Sequence, residues 1–150
     1  MRGSRDVDIL LVEDDQDHAA LILRALKEDS RVETHWAKNG EEGLHFLWER
    51  QERYARQQPS AAPRPLIVLL DIHLPKVNGH DVLRQIRRED GLRSIPVVML
   101  TTSDRRDEID AAYRAGANGY VTKSLMLGDF VEKLQSLKHY WTSTSEIPAA

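Results

Sequence analysis

Five short marks recur in order along the chain. They are Glu13-Asp14-Asp15 after Ile-Leu-Leu-Val, Asp71 after Leu-Ile-Val-Leu-Leu, Thr101 after Val-Val-Met-Leu, Tyr120 in Asn-Gly-Tyr-Val, and Lys123 just behind it. Each stands at or past the carboxyl end of a strand-like run. Such ends share one edge of a parallel sheet, where ligands bind. Carboxylates gathered there repel and raise one another's pKa unless a cation intervenes. Mg²⁺ suits them, as a hard ion that takes oxygen ligands and shares a phosphate. Asp71 can then act as a nucleophile and form an acyl phosphate. Lys123 would offset charge on the transferring group. The Thr101 hydroxyl can hydrogen-bond a phosphate oxygen and, drawn inward, leave a gap for Tyr120, which makes a two-state element. Alone, an Asp after a strand is usually a cap or turn residue. The joint, ordered occurrence of all five carries the functional reading.

Alternating elements must position these residues. Asp8 to Val12 reads as a buried strand by its continuous apolar run. Ala19, Ile22, Leu23 and Leu26 then follow helical spacing. Val32, Thr34 and Trp36 alternate as in a strand. Asn39 with Glu42 resembles a capping box for a helix that buries Leu44, Leu47 and Trp48. A proline-rich loop, QQPSAAPRP, follows. Leu66 to Leu70 is the most apolar strand candidate and so is expected at the centre. Asn78-Gly79 opens a helix with Val82, Leu83 and Ile86 inward, and Gly91 fits its end. Pro96 to Leu100 predicts a fourth strand. Ile109, Ala112 and Tyr113 mark a helix closed by Gly116. Gly119 to Thr122 predicts a short fifth strand. The last helix is expected from about Met126 to Trp141, with Leu127, Phe130, Leu134, Leu137 and Trp141 on one face. Five βα units imply a parallel sheet with helices on both faces.

At 150 residues, 41% hydrophobic and 30% charged, the chain is expected to be one globular domain. Its net charge of −3 argues against nucleic acid as a partner. Arg87-Arg88 and Arg105-Arg106 read as solvated helix faces. No run is long enough to span a membrane, and the start, MRGSRDVD, lacks the apolar region of a signal peptide. With no cysteine, disulfides and thiolate chemistry are excluded, and a cytoplasmic location is expected. His18, His35, His45, His80 and His139 lack paired ligand spacing and are expected at surface or partly packed positions. Trp36 and Trp48 are expected in the core.

The segments ILLVEDD, LLDIHLPKVNG, PVVMLTTSD and AGANGYVTK together resemble a response-regulator receiver domain of two-component signalling. The resemblance implies a flavodoxin-like (βα)5 three-layer sandwich with strand order 2-1-3-4-5. It implies a domain over residues 8–141, between an N-terminal tail over 1–7 (in part an expression scar) and a C-terminal tail over 142–150. By position, Asp71 resembles the phosphoacceptor, Asp14 the direct Mg²⁺ ligand and Glu13 the acid acting through metal-bound water. His73 matches the position giving the metal a backbone carbonyl. Thr101 and Tyr120 match the switch pair, and Lys123 the lysine of the family pattern. His73 and Ser103 match positions that flank the approach of hydrolytic water. The APRP segment, LTTSD and the HYW ending are similar to single-domain regulators paired with phytochrome-type kinases. Ser124 departs from the family's usual proline. A non-proline cis bond costs about 2.5–4 kcal/mol, so that junction is either held by its surroundings or rebuilt.

The resemblance implies a phosphorylation switch rather than an enzyme, with a sensor histidine kinase as partner and a homodimer through the last strand and helix. Tyr140 and Trp141 would form an apolar patch there. Output is expected by protein contact or phosphate relay. A pseudo-receiver would lack an acid or the lysine, and none is missing. A haloacid-dehalogenase-type phosphatase wants Asp-x-Asp, which Asp71-Ile72-His73 fails; Asp15-Gln16-Asp17 has Ala19 where a hydroxyl or branched residue should stand. A flavin-binding domain needs a Ser/Thr/Gly-rich phosphate loop, which is absent after the first strand.

Overall fold

A computed structural model describes residues 6–29, 31–56, 65–123 and 127–147. Apolar runs and helical patterns alternate in it as the sequence predicts. The strands are β1 (Val7–Val12), β2 (Val32–Ala37), β3 (Leu66–Leu70), β4 (Val97–Thr101) and β5 (Gly119–Thr122). The helices are α1 (Gln16–Lys27), α2 (Gly40–Arg56), α3 (Gly79–Arg88), α4 (Arg106–Arg114) and α5 (Leu127–His139), extended by a π-helical turn over Tyr140–Thr144.

The sheet order is β2-β1-β3-β4-β5, with every pair parallel. β3, with all its residues buried, is the central strand. Side chains alternate across a strand, so the sheet feeds two cores. Leu10, Val12, Val68 and Leu70 pack with Leu44 and Leu47 of α2, Val82, Leu83 and Ile86 of α3, and Ala112 of α4. Ile9, Leu11, Ile67 and Leu69 pack with Ala19, Ile22 and Leu26 of α1 and Phe130, Leu134 and Leu137 of α5. The result is a three-layer α/β/α sandwich.

Several expectations change. Val7, placed in the tail, is buried and opens β1 opposite Val32. Trp48 is 41% exposed instead of buried, because its neighbours Leu44 and Leu47 already fill the inward stripe of α2. Trp36 is half-buried against the α1/α5 core. The segment from residue 142, expected to fray, begins inside the π-helical turn. Thr142 is buried there and its hydroxyl donates to the Lys138 carbonyl at 2.7 Å. Arg87 is not a solvated face residue. It is half-buried and donates to the carbonyls of Gly116 (3.0 Å), Arg93 (3.0 Å) and Ile95 (2.8 Å) and to Asn118 Oδ1 (2.7 Å). The left-handed helix terminator is Gly116, with φ 107°, whereas Gly91 lies in the turn beyond α3. The loop over 57–64, Ser124 and Met126 lie outside the described residues.

Candidate functional site

Register decides which residues meet. Val12 pairs with both Ala37 and Leu70, so Glu13 and Asp71 leave the sheet side by side. Two backbone bonds extend the ladder past the strands: Glu13 N to Ala37 O (3.0 Å) and Asp71 N to Val12 O (3.1 Å). On the other flank Lys123 N donates to Thr101 O at 2.7 Å, which brings the end of β5 to the end of β4. Residues over a hundred positions apart in sequence thus share one edge.

Glu13, Asp14 and Asp71 each offer a carboxylate oxygen, and these oxygens lie within 4.8 Å of one another. Glu13 and Asp71 are buried, whereas Asp14 is exposed at the mouth. Lys123, also buried, lies between the two buried acids. Its Nζ bonds Glu13 Oε1 and stands 3.1 Å from Asp71 Oδ2. Burial pushes the Glu13 carboxyl up to about 7, against the pull of Lys123 and with added repulsion from Asp71. A cation among these oxygens would relieve that cost. The donor set is all oxygen, so the residues fit a hard divalent ion.

The surrounding backbone fixes the acids. Asp15 is not part of the cluster: its Oδ1 caps α1, accepting from Asp17 N (2.9 Å) and His18 N (3.0 Å). Trp36 donates its indole N–H to the Glu13 carbonyl at 2.8 Å. His73 N donates to Asp71 Oδ1 at 3.1 Å, and its exposed ring stands 3.6 Å from Glu108 Oε1 of α4. The start of α3 abuts the Asp71 main chain. A Cβ on Gly79 would lie 2.2 Å from the Asp71 carbonyl oxygen, so only glycine fits there.

Thr101 is fully buried. Its Oγ1 accepts a long bond from Ser103 N at 3.5 Å. Tyr120 is half-buried, and its hydroxyl donates to the Ser103 carbonyl at 2.8 Å. Ser103 therefore touches both members of the expected switch pair. Glu13, Asp14, Asp71, His73, Thr101, Tyr120 and Lys123 are thus linked at this end of the sheet. Three partners escaped notice: Trp36, Gly79 and His18, whose Nδ1 is 3.0 Å from Lys123 Nζ. The signal for His18 was its place in the first turn of a helix that starts at the site.

Comparison with known proteins points to one family. Residues 9–135 match the response regulator receiver domain. The chain is 39% identical to the probable methanogenesis regulatory protein FilR2 of Methanothrix harundinacea, over 93% of this chain and 86% of the relative. It is 37% identical to response regulator Rcp1 of Synechocystis sp., over 95% and 93%. The Mn²⁺-bound crystal structure of Rcp1 superposes with a TM-score of 0.80 at 36% identity, covering 95% of this chain and 99% of that one. The phosphorylated cyanobacterial phytochrome response regulator RcpA gives 0.81 at 33% identity, over 95% and 98%. With the fold, the acidic edge and these likenesses in agreement, the chain belongs to the response regulator receiver domain family.

Proposed function

We propose that the chain is a phosphorylation switch in which Asp71 accepts a phosphoryl group from a sensor histidine kinase. The observation that carries the reading is the Lys123 ammonium set between Glu13 and Asp71, with Asp14 beside them. In the transfer, an Asp71 oxygen attacks phosphorus, the P–N bond of the kinase phosphohistidine breaks, and the imidazole leaves with the electron pair and takes a proton. Lys123 donates toward the transferring group and holds it in line. Asp14, Glu13, Asp71 and the His73 carbonyl are assigned to Mg²⁺, which when bound would neutralise charge on the phosphoryl oxygens. Most of the rate then comes from positioning and fixed charge.

Thr101 and Tyr120 are assigned as the switch. Phosphate on Asp71 would draw the Thr101 hydroxyl toward it and loosen the Ser103 link that holds the Tyr120 hydroxyl. The likeness to the cyanobacterial phytochrome response regulator RcpA supports a phytochrome-type kinase as the partner. We further propose a homodimer through β5 and α5. β5 is an edge strand, and an open groove of about 970 Å³ runs between it and α5 down to Tyr140 and Trp141. Tyr140 is 49% exposed, its ring edge-on to Trp141 at 5.0 Å.

The test is intact-mass analysis after incubation with acetyl phosphate and Mg²⁺. Wild type should gain one phosphoryl group and Asp71→Asn none. Labelling of the variant at the wild-type level would overturn the assignment.

A further inference from the structure

An ammonium carries three donors and no acceptor. Those of Lys123 are matched by three groups from three elements: Glu13 Oε1 after β1, Asp71 Oδ2 after β3 at 3.1 Å, and His18 Nδ1 on α1 at 3.0 Å. The Lys123 side chain is 5% exposed and that of Glu13 1%, while that of His18 is 41% exposed at the rim. His18 is brought to the ammonium by the Asp15 cap, whose Oδ1 holds the His18 backbone N–H at 3.0 Å. The carboxylate of Asp15 stands 4.0 Å from the same ring nitrogen. For Nδ1 to accept from an ammonium, the ring must be neutral with its proton on Nε2.

We propose that His18 is a positioning residue for Lys123 in phosphoryl transfer. This rests on the reading of Asp71 as phosphoacceptor. With Glu13 and His18 taking two N–H groups, the third is fixed on Asp71 Oδ2, on the carboxylate that takes the incoming group. Without His18, that donor is left to water and the ammonium can rotate about its bond to Glu13. A donor aimed in advance costs no reorganisation when charge develops. His18 contacts the lysine and not the transferring group, so its effect passes through Lys123.

The experiment measures the rate of Asp71 phosphorylation by phosphoramidate with Mg²⁺, by intact mass, for wild type, His18→Ala and His18→Asn. Asparagine carries its amide oxygen on Cγ, as histidine carries Nδ1, so it restores the acceptor without the ring. His18→Ala should be roughly three- to tenfold slower, the factor that one net hydrogen bond supplies. His18→Asn should recover most of that loss. Long-range ¹H–¹⁵N correlation should place the His18 proton on Nε2. An alanine variant at the wild-type rate, an asparagine variant no faster than alanine, or a proton on Nδ1 would each overturn the role of His18. A wild type that takes no phosphoryl group would instead overturn the phosphoacceptor reading itself.

Discussion

Burial raises the Glu13 carboxyl to about 7 from its ordinary 4.5, even with Lys123 bonded to it. A raised carboxyl favours the protonated form in the folded state. Its contribution to stability is fully present below about pH 4.5 and is lost as pH rises through about 7. In chelator, the thermal midpoint of wild type should therefore fall across that window. Glu13→Gln should flatten the fall; a variant profile that tracks wild type would refute the assignment. A divalent ion on these oxygens would compete with the proton, so Mg²⁺ affinity should rise over the same range and weaken in Asp14→Asn, by calorimetry. The acids and Lys123 were legible in the sequence because strand ends converge whatever the rest of the fold does. His18 and Trp36 were not. A lone histidine on an amphipathic helix and a tryptophan in an alternating strand both read as ordinary packing until a partner is placed beside them.

At the scale of elements, one guanidinium ties the end of α3 to the starts of β4 and β5. Arg87 bonds three carbonyls and the Asn118 amide oxygen, and Asn118 Oδ1 also accepts from Val97 N at 2.9 Å. Arg87→Ala takes the donor from three carbonyls, while Asn118 Oδ1 keeps Val97 N, and should cost about 2–4 kcal/mol in denaturant unfolding. Gly116→Ala should cost about 1–2 kcal/mol, since φ is 107° and a Cβ would stand 3.0 Å from Arg87 Nε. Cooperative unfolding at the wild-type midpoint in either variant would sink this account. The bounds of β3 and β5 were readable from composition, because apolar runs between turn residues stop where the turn residues begin. The role of Arg87 was hidden, since charge predicts solvent and only tertiary structure supplies four acceptors. The end of α5 was misjudged for a related reason: the apolar spacing stops at Trp141, but backbone turns continue to Thr144.

For the whole molecule, periodicity established how many layers there are but not which strands are neighbours. The order 2-1-3-4-5 came from the likeness to receivers, because a strand's hydrophobicity carries no record of its partner. That order leaves β2 and β5 as the two edges. Light scattering at micromolar concentration should show a dimer for wild type and a monomer for Tyr140→Ala/Trp141→Ala. A wild type monomeric with and without phosphorylation would refute the pairing. The same order also distributes the indoles usefully. Trp36 sits on one edge strand with its N–H on the Glu13 carbonyl, while Trp141 closes the groove beside the other. Two of the three indoles, Trp48 on α2 being the third, thus stand on opposite flanks, one placed to report events at the acids and the other the proposed pairing. Emission from Trp36 should shift on adding Mg²⁺ at dilute protein, and Trp36→Phe should abolish that shift. Emission from Trp141 should instead follow protein concentration, so a single fluorimeter titration separates charging of the site from assembly.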